Sequence, residues 1–349
     1  MLAAMTSQPE GGTAPDLPAD APAGEPVHPP ADPLVAWTPD TVLASPPDPA
    51  AEPGGFLVTA AGGTRVHFLD WGSPASPDGG PGVLLVPGFL SPAWAWAPVA
   101  RRLAAQRRVI VADLRGQGLS DAPPDGYDMA SLGADVVAVA EGSGLLDGVG
   151  GAGVVLAGHG LGGAVAAEAA VLLGAAGRGL LLVDGGWERV EAVTDLDAAE
   201  FLRGLDEPPE VLRSIGAYLA DRRAFDPATW DADQERAARD AVVETAAGHV
   251  VRAVRPHVIE ALVAAMFAWD PAPVLARVQA PVAALVALGG GETETRVAEL
   301  RRAAGTRLAA GHGPVGVAPF PGIGHNLPRY RPADVAAAIL ELGTPGALS

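Results

Sequence analysis

One short stretch has the residue types and spacing of a catalytic turn. The apolar residues 154–157 predict a buried strand, the sequence Gly-His-Gly-Leu-Gly-Gly at 158–163 predicts a tight turn, and the Ala-rich residues 164–170 predict a helix. This is the setting of a G-x-S-x-G nucleophile elbow, which exposes a serine above a sheet. Gly160 occupies the position of that serine. The stretch therefore has the frame of a catalytic turn without the hydroxyl that would attack a substrate.

Two other interpretations of this stretch stay open. Glycines also occur in ordinary strand-to-helix turns, and glycines before a helix can hold a phosphate group against its N-terminus. The common phosphate-binding signatures disfavour a nucleotide site. No Gly-x-Gly-x-x-Gly opens the first strand–helix unit, and no P-loop lysine is present.

His325 is the second candidate for chemistry. It follows Gly322, Ile323 and Gly324, just after a short predicted strand. A histidine can accept a proton as general base and return it as general acid near neutral pH. A lone histidine is more often structural, but the flanking glycines favour a catalytic position. His159, inside the elbow, is interpreted as structural.

The elements that would position these residues alternate between strands and helices. Continuous apolar runs typical of buried parallel strands cover residues 82–86, 108–112, 154–157, 179–183 and 281–288. Helices are predicted between them, and a hairpin at 56–71 precedes them. The pattern predicts an α/β protein with a doubly wound, mostly parallel sheet and helices on both faces.

Composition shifts divide the chain into three parts. Residues 1–53 are rich in Pro and Ala and predict a disordered tail, although docking of Trp37 is an alternative. Residues 54–186 and 271–349 form the predicted core. Residues 187–270 contain no strand-like run and predict an inserted helical cap. Its predicted helices cover residues 196–205, 209–219, 231–247 and 256–268.

Charge and composition exclude several functions. A net charge of −18 argues against nucleic acid and anionic membrane surfaces as partners. The chain has no cysteine, which excludes disulfides and thiolate metal sites, and no metal or cofactor is expected. No apolar run is long enough to span a bilayer, and the N-terminus lacks a secretory pattern. A cytoplasmic protein is expected, with its oligomeric state open.

The sequence resembles the α/β-hydrolase superfamily over roughly residues 55–343, most closely the capped esterase, haloperoxidase and epoxide-hydrolase branch. Several motifs occur in that family's order and spacing. They are residues 67–72 (HFLDWG), 87–89 (PGF), 113–121 (DLRGQGLSD), 158–163 and 322–325 (GIGH). The resemblance implies the α/β-hydrolase fold, with a vacated nucleophile position at Gly160.

The resemblance also implies a catalytic histidine and its acid. His325 matches the family's general base. The carboxylate that orients it usually follows the strand after the cap, which makes Glu292 the first choice. Glu294 and Asp184, the latter at the end of the strand before the cap, are the alternatives.

The same resemblance implies an oxyanion hole and a pocket. The backbone N–H groups of Phe89 and Leu161 would form the hole. Pro87 replaces the family's usual histidine beside it. Four aromatic residues are candidates to line an apolar substrate pocket under the cap, although each could belong to the core: Trp94, Trp96, Trp187 and Phe267.

Three functions agree with these observations. His325 could activate water or an acidic substrate directly, in an enzyme that acts on a small apolar ester-like or carbonyl compound. The chain could be a pseudoenzyme that binds a small ligand or a protein partner. It could also be an ester hydrolase whose serine is replaced by Gly160, with little activity left.

Overall fold

Eleven strands and twelve α-helices make up the part of the chain that the computed structural model describes, residues 31–43, 48, 51–72, 80–146, 153–289, 293–344 and 346–348. The strands are β1 (Leu34–Ala36), β2 (Gly54–Thr59), β3 (Arg65–Asp70), β4 (Gly82–Val86), β5 (Val109–Ala112), β6 (Val154–His159), β7 (Gly177–Val183), β8 (Val242–Glu244), β9 (Val250–Arg252), β10 (Val282–Leu288) and β11 (Val315–Pro321). The helices are α1 (Ala97–Leu103), α2 (Met129–Gly142), α3 (Leu161–Leu173), α4 (Val190–Val193), α5 (Ala198–Gly204), α6 (Ile215–Phe225), α7 (Ala232–Asp240), α8 (Pro256–Ala268), α9 (Pro271–Leu275), α10 (Thr293–Ala309), α11 (Leu327–Tyr330) and α12 (Pro332–Leu342).

Nine strands form one sheet in the order β1-β11-β10-β7-β6-β4-β5-β3-β2. All neighbouring strands from β1 to β5 in this order are parallel, and β3 runs antiparallel to both of its neighbours, β5 and β2. The predicted doubly wound, mostly parallel sheet is confirmed. Helices follow the strands because both faces of these apolar strands must be covered.

The central strand β6 contributes to two cores, one on each face of the sheet. Val154 and Leu156 pack into one apolar cluster, and Val155 and Ala157 pack into the other. Successive strand residues point to opposite faces, so an uninterrupted apolar run is the sequence of a strand covered on both sides. β4 and β6 are neighbours, whereas β5 lies beyond β4. The carboxyl ends of β4 and β6 therefore flank the crevice where ligands bind in open α/β sheets.

Part of the predicted disordered tail is ordered. Residues 1–30 lie outside the described part of the chain. β1, however, adds a parallel edge strand to β11, and Trp37 is buried with its indole Nε1 donating to Glu341 at 2.7 Å. The disorder prediction is wrong for this segment, because a few large side chains suffice to anchor a short strand on an existing sheet edge.

The region between β7 and β10 is not purely helical. β8 and β9 pair as an antiparallel hairpin where residues up to 247 were expected to be helical. The helix ends at Asp240, because the β-branched Val242 and Val243 favour extended backbone and Gly248 adopts a positive φ in the turn. No helix in the described ranges is long and apolar enough to cross a membrane.

Candidate active site

The elbow places Gly160 between β6 and α3 with φ 55° and ψ −120°. Three further glycines allow the close packing of this turn. A Cβ on Gly158 would lie 2.0 Å from the Gly162 carbonyl oxygen, and one on Gly162 would lie 2.3 Å from that of Val86. A Cβ on Gly163 would lie 2.4 Å from the Gly185 oxygen. Larger residues would push strand and helix apart, so the elbow geometry depends on this glycine pattern.

The space above Gly160 faces the imidazole of His325. A Cβ built on Gly160 would lie 3.2 Å from His325 Nε2 and 3.4 Å from Cε1. That separation is close to hydrogen-bonding distance. An oxygen atom placed at this point would therefore be in reach of the imidazole nitrogen.

Asp184 holds the other nitrogen of His325. His325 Nδ1 lies 2.6 Å from Asp184 Oδ2. Asp184 Oδ1 accepts a hydrogen bond from the Ala287 backbone N–H at 2.8 Å and another from Arg296 Nη1 at 3.0 Å. Burial acts to raise the pKa of the Asp184 carboxyl, but the His325 hydrogen bond and the Arg296 charge outweigh it, so the pKa lies below its ordinary value. Asp184 is therefore an ionised acceptor that orients the imidazole.

The carboxylate that contacts His325 is not Glu292, which the sequence analysis named first. Glu292 lies outside the described residues. Glu294 is exposed on α10 and is not among the described partners of His325. Asp184, ranked as an alternative, occupies that place at the carboxyl end of β7. The sequence signal was present, because Asp-Gly-Gly directly follows the strand next to β6.

Arg296 was missed by sequence reasoning. Its guanidinium bridges Asp184 to Glu188 Oε1, at 3.1 Å from Nη2, and lies 5.2 Å from the ring centroid of Trp187. Burial disfavours the Arg296 cation, but Glu188 and Asp184 more than compensate, so its pKa is raised. No local motif marks a single arginine on a long charged helix.

His159 also belongs to the site. Its ring centroid lies 4.4 Å from that of His325, and its Nε2 lies 2.9 Å from the His325 backbone oxygen. Burial and the neighbouring His325 lower the pKa of His159 to about 4, so its imidazole is neutral at ordinary pH. The ring lines the cavity and supports the loop of His325.

Phe89 and Leu161 both line the cavity above Gly160. Leu161 is the first residue of α3, so its N–H has no acceptor within the helix. Phe89 follows β4, in a turn where Leu90 has a φ of 57°. The two backbone groups therefore come from the ends of adjacent parallel strands, as an oxyanion hole requires.

The cavity has a volume of about 610 Å³ and a largely apolar wall. Its large apolar members are Phe89, Trp96, Met129, Phe201, Phe225, Met266 and Trp269. Of the aromatic residues proposed for this wall, Trp96 belongs to it. Trp94, Trp187 and Phe267 are not among the lining residues, and those three predictions are wrong.

The two tryptophans lie elsewhere for different reasons. Trp94 packs against Trp71 with centroids 5.8 Å apart and lies under Arg236, at 3.6 Å. Trp187 is fully buried, with its Nε1 donating to the Arg296 backbone oxygen at 3.2 Å. Trp96, two residues after Trp94 in the same short helix, faces the cavity instead. The sequence did not separate Trp94 from Trp96, because each residue step in a 3₁₀ helix, with three residues per turn, rotates the side chain by about 120°.

Within the described ranges, no group of three or more His, Asp or Glu side chains is arranged to hold a metal ion. The described groups of the site offer proton transfer by a histidine that Asp184 orients, beside a largely apolar cavity.

A sequence model described as "Alpha/beta hydrolase family" matches residues 83–338. Among curated proteins, N-formylmaleamate deformylase of Pseudomonas putida is 40% identical over 87 residues, which cover 25% of this chain and 31% of that protein. The match thus spans under a third of the relative's length.

Solved structures resemble this chain over most of its length. An E-2-(acetamidomethylene)succinate hydrolase has a TM-score of 0.66 at 21% identity, with 83% of this chain and 98% of that chain covered. The N-formylmaleamic acid deformylase of Pseudomonas putida S16 has a TM-score of 0.60 at 24% identity, with 82% and 100% covered. At these identities the structures show a shared fold.

Proposed function

We propose that this chain, which belongs to the alpha/beta hydrolase family, hydrolyses the C–O or C–N bond of a small ester or amide. The attacking water is activated directly by His325. The observation that carries the proposal is the position of His325 Nε2, 3.2 Å from the place a side chain would take on Gly160. A water oxygen can occupy that space, between the imidazole and the cavity.

The reaction follows from the contacts of these groups. The water oxygen attacks the carbonyl carbon while its proton passes to His325 Nε2. The carbonyl oxygen becomes an oxyanion that accepts hydrogen bonds from the N–H groups of Phe89 and Leu161. When the tetrahedral intermediate collapses, the C–O or C–N bond breaks and the leaving group takes the proton from His325. The products are a carboxylic acid and an alcohol or amine.

Asp184 acts through the histidine. It accepts the Nδ1–H of His325, which leaves Nε2 free to take a proton from water. Its low pKa keeps it ionised, so it stabilises the imidazolium that forms. The names of the relatives, a deformylase and a hydrolase, support hydrolysis of a carbonyl compound.

A second candidate is a protein that binds its ligand without turnover. The missing hydroxyl at Gly160 favours it, because the nucleophile and histidine of a triad together supply most of its rate.

The test is hydrolysis of p-nitrophenyl butyrate by the protein and by His325→Gln, each checked for its melting temperature. We expect slow steady turnover without a burst of nitrophenol, because no acyl-enzyme forms, and a loss of about 10²–10⁴-fold in His325→Gln. Val243→Ala, at an exposed cap position, is the control and keeps the full rate.

Three outcomes discriminate between hydrolysis by direct water attack and ligand binding without turnover. A burst would show a covalent nucleophile and overturn direct water attack. Equal rates for the protein and His325→Gln above buffer would remove His325 from the chemistry. Rates at the buffer level for both would leave the ligand-binding function.

A further inference from the structure

We infer that the cavity above Gly160 accepts an uncharged acyl group with a ring-sized apolar body and rejects carboxylates, and that Met266 sets this selectivity. The inference deepens the proposed function, because it takes this cavity as the substrate site. It concerns binding, however, and can be tested without turnover.

The cavity wall contains no permanent cation. Its described lining includes no arginine, and the chain has no lysine. All 23 basic residues are arginines within the described ranges, so the remaining segments have none to contribute. The two carboxylates in the wall, Asp184 and Glu188, are both bound by Arg296. Each of the three guanidinium nitrogens of that arginine already donates to one of these two carboxylates.

The two histidines do not supply a free positive charge. His159 is neutral at ordinary pH because its pKa is about 4. Any charge on His325 is paired with Asp184 through the 2.6 Å contact. A substrate carboxylate would thus lose water without gaining a counterion, which is costly in an apolar cavity.

The apolar wall is shaped by rings and by flexible side chains. Phe89 packs against Phe201 with centroids 6.4 Å apart, and Phe201 packs edge-on against Phe267 at 5.9 Å. This row of rings leads from the oxyanion turn into the cap. Met129 and Met266, two of the four methionines in the chain, complete the wall with adaptable thioether chains. Flat or branched apolar groups fit such a surface.

Met266 is the residue best placed to change the charge preference. It lies on α8, is only partly buried and contacts the cavity from the cap side. Its unbranched side chain can be replaced by arginine with a similar path. The named substrates of the relatives, N-formylmaleamate and (acetamidomethylene)succinate, carry carboxylates. The described lining of this cavity has no arginine to bind such a carboxylate, so we infer a different substrate preference.

The experiment compares two amides that differ in charge, 4-methylbenzamide and 4-carboxybenzamide. Their binding is measured by quenching of tryptophan fluorescence, since Trp96 and Trp269 line the cavity, and by calorimetry. We expect 4-methylbenzamide to bind at least about tenfold more tightly. Met266→Arg is expected to reverse this order, whereas Val243→Arg, the same charge on an exposed cap position outside the wall, leaves it unchanged.

Several results would overturn the inference. Equal or tighter binding of 4-carboxybenzamide to the unaltered protein would do so, as would binding of neither amide. If Met266→Arg does not fold, Phe225→Arg places the cation at the cavity rim, where the side chain is 80% exposed. Failure of that folded variant to gain affinity for 4-carboxybenzamide would also contradict it. Selective binding in a protein without esterase activity would refute the proposed reaction only.

Discussion

At the residue scale, Gly160 combines the strained backbone conformation of a nucleophile elbow with the absence of a side chain. Its φ of 55° and ψ of −120° lie in a region that costs a residue with a Cβ about 1–3 kcal/mol. Glycine adopts it without strain. The turn thus adopts a conformation that favours glycine, and the space above Gly160 faces His325 Nε2.

Gly160→Ser is expected to create a covalent hydrolase at a cost in stability. Its Cβ would lie 3.2 Å from His325 Nε2, so the imidazole must yield by a few tenths of an ångström. We expect a nitrophenol burst with p-nitrophenyl butyrate and a free energy of unfolding lower by about 1–3 kcal/mol. Stopped-flow absorbance and urea unfolding measure the two effects.

Gly160→Ala separates the strain from the chemistry. It introduces the same Cβ without a hydroxyl, so it is expected to lose similar stability and show no burst. A burst in Gly160→Ala, or a folded Gly160→Ser without one, would contradict the assignment of this position.

At the element scale, the segment around β1 forms the edge strand beside β11 and is hydrogen-bonded to the last helix, α12. One carboxylate, Glu341 on α12, accepts hydrogen bonds from the Trp37 indole at 2.7 Å and the Asp40 N–H at 2.9 Å. The Thr41 hydroxyl donates to the same group at 3.3 Å. Trp37 itself packs in the core on this face. The segment therefore belongs to the folded unit.

Trp37→Ala is expected to lower the free energy of unfolding by about 3 kcal/mol, because it empties a buried ring site and leaves Glu341 with one partner fewer. Urea denaturation followed by circular dichroism measures it. Val42→Ala in the same segment changes an 84% exposed side chain and is expected to stay within about 0.5 kcal/mol. Equal effects of the two substitutions would show that the segment does not contribute to the core.

At the scale of the whole molecule, a charge network ties the start of the cap region to α10 of the core. Arg189 binds Glu299 at 2.9 Å, and Arg302 binds both Glu299, at 3.2 Å, and Asp270, at 2.7 Å. The hydrogen bond from Arg189 outweighs burial and, with Arg302, lowers the pKa of Glu299 to about 2. The network lies beside the residues that bracket the cap.

The sign of its pH dependence follows from this depressed pKa. Glu299 stabilises the fold above its ordinary pKa of 4.5, and this contribution is lost as pH falls towards about 2. Glu299→Gln is expected to cost about 1–2 kcal/mol at pH 7, a discounted figure because half-exposed Arg189 is screened by solvent. The difference should shrink to near zero at pH 2. Urea unfolding of both proteins at pH 7 and pH 2 measures this difference, with Glu294→Gln at an exposed position as the control. A difference that grows on acidification would contradict the depressed pKa of Glu299.

The sequence by itself determined the core strands β2 to β7, β10 and β11 and the tight turn at Gly160, but not β1, β8 or β9. Apolar runs such as 82–86 and glycines such as Gly158 and Gly162 are local signals, since burial on two faces and tight turns restrict which residues a short segment can contain. These signals predicted the fold and the tight turn that faces His325.

Only the tertiary structure decided which side chains meet there. Asp184 and His325 are 141 residues apart, and their contact depends on how β7 and the loop after β11 pack together. Side-chain direction and distance decide that Asp184 contacts His325 and that Arg296 supports Asp184. They also decide that Trp96 and Trp269 line the cavity, whereas Trp94 and Trp187 do not. Those quantities arise from packing between distant segments, which no local pattern of residues encodes.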